Sequence, residues 1–118
     1  MRREIEFYRT AAGTSPVEEF LDSLPAKVAQ KVAWVLSIIE EMERVPTKYF
    51  KKLEGQHALY ECRIDFGGNT YRLLGFLHRG KFVVLTNGFM KKTQKTPMDE
   101  IDLCNRRMKD FLARGGKK

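Results

Sequence analysis

The first apolar pattern along the chain has a period of two. Ile5 and Phe7 alternate with Glu4 and Glu6 near the N-terminus. Alternation of this kind places apolar side chains on one face of a strand and polar side chains on the other. The pattern therefore predicts a short, half-buried strand at the start of the chain.

Two stretches with helical spacing follow this strand. Ser15 can cap a first helix, and Pro16 suits its first position. The apolar stripe of this helix consists of Val17, Phe20, Leu21 and Leu24. Pro25 opens a second, longer helix, which Pro46 ends. The stripe of the second helix consists of Val28, Val32, Val35, Leu36 and Ile39. Because almost nothing joins the two helices, they should form an antiparallel hairpin.

Alternation with a period of two returns in the second half of the chain and predicts three strands. These are LYECRIDF (59–66), TYRLLGFLH (70–78) and KFVVLTNGF (81–89). Tight turns at Gly67-Gly68-Asn69 and Arg79-Gly80 would join them into an antiparallel meander. The polar segment VPTKYFKKLEGQHA, which precedes the first of these strands, predicts a connection without regular structure.

A last helix is predicted after the meander. Thr96 and Pro97 mark its start, with Asp99 at the capping-box position, and Gly115-Gly116 marks its end. The predicted order of elements is β-α-α-β-β-β-α. An N-terminal strand and a helical hairpin would pack on the meander sheet in a single α+β domain that covers residues 1–118.

The composition is typical of a globular protein, with 42% hydrophobic and 31% charged residues in a chain of 118. No apolar run approaches the roughly 20 residues needed to cross a bilayer. The N-terminus also lacks a signal-peptide pattern, so we expect a cytoplasmic protein without a membrane partner. Cys62 and Cys104 lie far apart in apolar stretches, which favours two buried free thiols.

The charge is unevenly distributed along the chain. The formal net charge is +7, and residues 1–56 contribute nine cationic and nine anionic side chains, which cancel. The whole excess therefore lies in residues 57–118. A one-sided cationic surface points to a polyanionic partner, with nucleic acid as the first candidate. Basic small proteins are also common, so the excess could serve solubility alone.

Two arginines should face each other on the predicted sheet. A two-residue loop at Gly67-Gly68 would place Arg63 directly opposite Arg72, on the face away from the helical hairpin. Like charges opposed in this way are unfavourable by a few tenths of a kcal/mol to about 1 kcal/mol. Glu61 and Asp65 could offset the repulsion. Alternatively, a phosphate could lie between the arginines, since the planar fork of arginine suits phosphate oxygens.

A basic corner, NGFMKKTQKTP (87–97), joins the third meander strand to the last helix. It contains three lysines, Lys91, Lys92 and Lys95, together with hydroxyl side chains that include Thr93. A helix N-terminus already favours anions, and cations oppose its dipole. Lysines at this place do not stabilise the helix, so a phosphate ligand would explain them better.

The stretches LYECRI, TYRLLGF and VLTNGFMKKTQKTP, followed by a short helix, resemble toxins of the RelE/HigB superfamily, in particular its phage-derived, HigB-like branch. The FKKLEG…LYE connection fits as well, so the resemblance covers nearly the whole chain. It implies the toxin of a type II toxin–antitoxin pair, which enters the ribosomal A site and cuts mRNA between codon bases. It also implies a cognate antitoxin, often one with a helix-turn-helix domain.

The resemblance and the basic corner together single out two groups of residues. The expected catalytic group is Arg63, Arg72, Lys91 and Lys92, and the expected RNA-binding group is Lys51, Lys52, Thr93 and Lys95. The general base stays open. Some members of the superfamily use a tyrosine near the C-terminus, but this chain has none after Tyr71. Others use histidines, onto which His57 and His78 do not map.

Cleavage of RNA without a metal requires a base for the 2′-OH proton, cations for the charge on phosphorus and an acid for the leaving oxygen. Lysines and arginines can supply the last two, and a lysine whose pKa is lowered by neighbouring cations can supply the first. The chain contains no metal-binding motif and no nucleotide-binding loop, so no cofactor is expected. Two other functions stay open: a non-enzymatic ParE-like inhibitor of DNA gyrase, and a basic RNA-binding module.

Overall fold

A computed structural model describes residues 2–56, 58–92 and 95–116. The elements in chain order are β1 (Glu4–Phe7), α1 (Pro16–Asp22), α2 (Ala26–Glu41), β2 (Phe50–Lys52), β3 (Leu59–Phe66), β4 (Asn69–His78), β5 (Phe82–Lys91) and α3 (Met98–Ala113). The α+β class and every predicted element are confirmed, and one additional strand is present. None of the helices in the described ranges is long and apolar enough to cross a membrane.

The five strands form one sheet in the order β1-β5-β4-β3-β2. β3, β4 and β5 are the predicted antiparallel meander. β1 adds to one edge, parallel to β5, and β2 adds to the other edge, antiparallel to β3. The expectation of an irregular connection was therefore wrong for Phe50–Lys52. A strand of three residues is too short for its alternation to be read, although Phe50 is buried and pairs with Cys62.

The sequence predicted the start of α1 correctly but placed the end of α2 too late. The Glu18 N–H donates to Ser15 Oγ at 3.2 Å, which confirms the predicted cap of α1. α2 ends at Glu41, so the predicted end at Pro46 was wrong. Arg3 explains the earlier end, because its guanidinium donates to the carbonyls of Ile39, Met42 and Glu43.

The sheet separates two hydrophobic clusters. The cluster under α1 and α2 includes Val17, Val32, Val35, Cys62, Ile64, Tyr71 and Leu73. The cluster under α3, on the opposite face, includes Leu59, Leu74, Phe76, Ile101, Cys104 and Phe111. The prediction of two buried free thiols is confirmed. Burial raises the pKa of Cys104 to about 11 and also raises the pKa of Cys62, so both thiols stay protonated at neutral pH.

The segment before α3 is anchored to the sheet and not to the helix. Thr96 was expected to cap α3, but Pro97 occupies the N-cap position and makes no side-chain capping hydrogen bond. The Thr96 hydroxyl instead donates to Glu61 Oε2 at 3.0 Å. Because Glu61 lies on β3, this hydrogen bond holds the start of the α3 segment against the face that carries Arg63 and Arg72.

Candidate functional site

The predicted opposition of the two arginines is confirmed. Gly67 and Gly68 form the two-residue turn between β3 and β4, both with positive φ, and Arg63 is paired with Arg72. Both arginines lie on the face away from α1 and α2, as expected. α3 shares this face but packs towards its other end, on Leu59, Phe76 and their neighbours.

A β-bulge at Thr86 brings the end of β5 to the arginines. Leu74 pairs with Asn87 and Gly75 pairs with Leu85, so Thr86 is the extra residue of β5. One extra residue reverses the alternation beyond it. Asn87, Phe89 and Lys91 consequently lie on the same face as Arg72, whereas unbroken alternation would have turned Lys91 to the other face.

Two contacts hold the bulge in place. A Cβ at Gly75 would lie only 2.2 Å from the Val84 carbonyl oxygen, so the backbones approach too closely for any other residue. Beyond the bulge, the Asn87 side-chain amide donates to the Glu100 carbonyl at 3.2 Å and to Glu100 Oε1 at 2.9 Å. The position of Lys91 therefore depends on packing between β4, β5 and α3.

Several charged side chains on this face act on Lys91. Burial lowers the pKa of Lys91, and the nearby charge of Arg72 lowers it further. Glu61 opposes the shift, while Lys51 and Arg63 add to it. The net shift is downward, so Lys91 loses its proton more readily than an ordinary surface lysine. We refer to Lys51, Arg63, Arg72 and Lys91 as the cationic cluster.

Arg72 forms the buried base of the cationic cluster. Its side chain is 6% exposed and that of Glu61 is 1% exposed, and Arg72 Nε lies 3.2 Å from Glu61 Oε2. The alignment of this contact falls outside hydrogen-bond geometry, and Nε has no hydrogen-bond partner among the described residues. Burial lowers the pKa of Arg72, and the Glu61 charge opposes this shift. Arg72 lies beside Arg63 in the sheet and diagonally from Lys91, and Glu61 offsets part of its positive charge.

Arg63 is the more accessible arginine and is held by Asp65. Arg63 Nε donates to both carboxylate oxygens of Asp65, at 3.0 and 3.2 Å, and the Arg63 side chain is 42% exposed. Thr70 donates to the same carboxylate at 2.7 Å. Burial raises the pKa of Asp65, but these hydrogen bonds and the arginine charges outweigh it and lower the pKa overall.

The remaining predicted residues are distributed more widely. Lys51 pairs with Glu61 and lies on the face of the cluster, whereas Lys52 pairs with Tyr60 and lies on the opposite face. Lys92 follows the last residue of β5 and is exposed, and Lys95 is exposed in the segment before α3. Thr93, Gln94 and His57 lie outside the described residues.

His78 lies at the far end of β4 from the cluster. Its ring packs edge-on against Phe111, with the ring centroids 5.1 Å apart. This contact gives His78 a place in the packing of α3, remote from the two arginines.

Sequence reasoning underrated Glu61 and missed the anchoring role of Thr96. Glu61 was considered only as a counter-charge, although its place in the middle of a strand, on the face of the arginines, was a usable signal. Thr96 carried no such signal, because a threonine before a proline and a helix predicts a cap. Only the folded chain brings its hydroxyl to Glu61.

A groove of interest lies away from the cationic cluster. A groove of about 440 Å³ runs between β1 and α2 and is lined by Ile5, Phe7, Leu36 and their neighbours. Its lining includes the carboxylates Glu6 and Glu40 and the guanidinium of Arg9, so it lacks the excess of cations that would attract a polyanion. In the part of the chain that the structure describes, no group of three His, Cys, Asp or Glu residues is arranged to hold a metal ion.

Comparison with known protein families gives one match. The model of the family described as "Phage derived protein Gp49-like (DUF891)" matches residues 19–109, which is most of the chain and includes the whole cationic cluster. No curated protein matches the chain. The protein therefore belongs to the phage-derived Gp49-like family, a toxin-like family of toxin–antitoxin systems.

Proposed function

We propose that this Gp49-like protein is the toxin of a type II toxin–antitoxin pair and acts as a RelE/HigB-like, ribosome-dependent mRNA endonuclease. The observation that carries the proposal is the convergence of Arg63, Arg72 and Lys91 from three adjacent strands on one face of the sheet. Opposed like charges destabilise a sheet. Asp65 and Glu61 each offset one of the two arginines, and Lys91 adds a third cation whose lowered pKa is typical of a functional site.

The cluster suggests a division of tasks in RNA cleavage. Arg63 is accessible and can donate to phosphate oxygens once it leaves Asp65. Arg72 contributes positive charge that Glu61 offsets in part, from a buried position where a low dielectric strengthens its effect on the charge that develops at phosphorus. Lys51 lies on the same face and extends the positive surface along β2.

Lys91 is the proposed proton carrier, in preference to Lys92. Its lowered pKa makes the neutral amine available to accept the proton of the 2′-OH as that oxygen attacks the adjacent phosphorus. The bond from phosphorus to the 5′-oxygen breaks, leaving a 2′,3′-cyclic phosphate on one product. The leaving oxygen takes up a proton from water and becomes a 5′-hydroxyl on the other product, and Lys91 returns the proton it accepted to the solvent.

The proposed partners follow from the same function. The site has few acid–base groups, so the ribosome would help to position the mRNA in the A site. A cognate antitoxin, with a helix-turn-helix domain as in related pairs, would hold the toxin inactive in the cytoplasm.

The test is induced expression in cells, followed by mapping of mRNA 5′ ends. Wild-type protein should arrest growth and produce breaks within translated reading frames. The double variant Arg63→Gln/Lys91→Gln should abolish both effects and still fold, because it leaves the buried Glu61–Arg72 pair intact. Lys52→Gln, on the opposite face, should behave like wild type.

Two results would contradict the proposal. Growth arrest that persists in the double variant, without mRNA breaks, would favour a non-enzymatic inhibitor of DNA gyrase. Cleavage of free RNA as fast as that of ribosome-bound RNA would show that the ribosome is not required.

A further inference from the structure

Phe89 places an aromatic ring beside the cationic cluster. It lies on β5, directly opposite Arg72, and its side chain is on the same face of the sheet. Adjacent strands are about 4.8 Å apart, and residues two apart along a strand are about 6.6 Å apart. Phe89 is therefore within one side-chain length of both Arg72 and Lys91.

The surroundings of this ring are unusual for an apolar side chain. Phe89 packs partly against the cluster under α3 but remains partly accessible. Its neighbours on the same face are Arg72 across the sheet, and Asn87 and Lys91 along the strand. A ring that served only the core would be expected among apolar neighbours. Phe89 packs on the cluster under α3, whereas its neighbours in the register of this face are cationic and polar residues.

We propose that Phe89 stacks on an unpaired nucleobase next to the phosphate bound by the cationic cluster, so that the ligand is a single-stranded ribonucleotide segment. This inference rests on the proposed function and adds the part of the site that recognises a base. An aromatic ring beside basic side chains is the usual arrangement in proteins that bind single strands. Such stacking accepts any base, because every base has a π-face, but it requires the base to be free of a duplex.

Phe82 provides a matched control for Phe89. It is the first residue of β5, is also partly buried against the cluster under α3, and lies beside His78 at the other end of the strand. Substitution of leucine at position 82 or 89 removes an aromatic ring from the hydrophobic cluster under α3. Only the variant at position 89 removes a ring from beside the arginines, so the two variants separate stacking from packing.

The experiment measures binding of a fluorescent 2′-O-methyl hexanucleotide, which cannot be cleaved, at low salt. A second hexanucleotide with one abasic position at its centre reports the contribution of a base. For wild type and Phe82→Leu, we expect the abasic change to weaken binding about 5- to 150-fold, the range for one stacked base. Phe89→Leu should bind the intact and the abasic hexanucleotide with the same weak affinity. Phe89→Tyr, which keeps an aromatic ring, should still bind the intact hexanucleotide more tightly than the abasic one.

The outcome distinguishes this inference from the proposed function. If Phe89→Leu is as sensitive to the abasic change as Phe82→Leu, stacking by Phe89 is refuted, whether or not the wild type cleaves mRNA. If the abasic change matters only when an aromatic ring is present at position 89, the inference stands. In that case, an absence of mRNA breaks during expression would refute the proposed endonuclease activity but not base stacking by Phe89.

Discussion

Glu61 and Arg72 form a buried ion pair at the base of the cationic cluster, with Arg72 Nε 3.2 Å from Glu61 Oε2. Removing one partner from such a pair leaves the other charge buried without compensation, at a cost of about 3–5 kcal/mol. Glu61→Gln should therefore lower the free energy of unfolding by about that amount, measured by urea denaturation. The double variant Glu61→Gln/Arg72→Gln should lose less than the sum of the two single variants.

An exposed ion pair provides the control for this prediction. Glu4 Oε2 lies 3.0 Å from Lys81 Nζ, with both side chains about half exposed. Glu4→Gln should cost less than about 1 kcal/mol, because surface pairs contribute little. Equal losses for Glu61→Gln and Glu4→Gln would contradict a special role for the buried pair.

Lys91→Gln should increase stability while it abolishes growth arrest. The pKa of Lys91 is lowered in the folded state, so the unfolded state binds more protons between the folded and unfolded pKa values. Wild-type stability should consequently rise with pH through that window. The variant should be more stable at pH 7, by a few tenths of a kcal/mol to about 1 kcal/mol. Its advantage should shrink as the pH approaches the ordinary lysine pKa.

Urea denaturation from pH 7 to pH 10 would check this prediction, with Lys92→Gln as the control. Lys92 is exposed beyond the end of β5, so its loss should leave both the stability and its pH dependence nearly unchanged. A destabilised Lys91→Gln variant would mean that the lysine contributes more by packing than it costs by repulsion.

Asp65→Asn should strengthen binding of the uncleavable hexanucleotide about 3- to 10-fold at low salt. The substitution releases Arg63 from a carboxylate that accepts at both oxygens, and it removes a negative charge from the face of the cluster. Asp22→Asn makes the same change of charge at the end of α1, on the other side of the sheet, and should have little effect. Weaker binding by Asp65→Asn would show instead that Asp65 orients Arg63 for the ligand.

Lys51 and Lys52 are neighbours in the chain but should differ in RNA binding. Lys51 lies on the face of the cluster and Lys52 on the opposite face. Lys51→Gln should weaken binding and reduce the slope of log K against log salt by about 0.7, the value for one phosphate contact with a single strand. Lys52→Gln should leave the slope unchanged, and equal slopes for the two variants would place the RNA elsewhere.

The opposition of Arg63 and Arg72 was determined by the sequence alone. Gly67-Gly68 sets a two-residue turn, and a period of two assigns each neighbouring side chain to one face, so the pairing follows from local rules. The same local patterns were sufficient for the α+β class, the meander and the cap of α1. Each of these features depends on residues that are close together in the chain.

Lys91, Lys51 and Thr96 reached the candidate site by interactions that no local pattern encodes. Lys91 shares the arginine face because Thr86 is an extra residue in β5, and that bulge depends on the close approach of Gly75 to Val84. Lys51 lies on the arginine face because β2 pairs with β3. Thr96 is held at this face because its hydroxyl donates to Glu61. Tertiary structure decided these positions, because contacts between segments distant in sequence outweigh the weak preferences of a short strand or a single threonine.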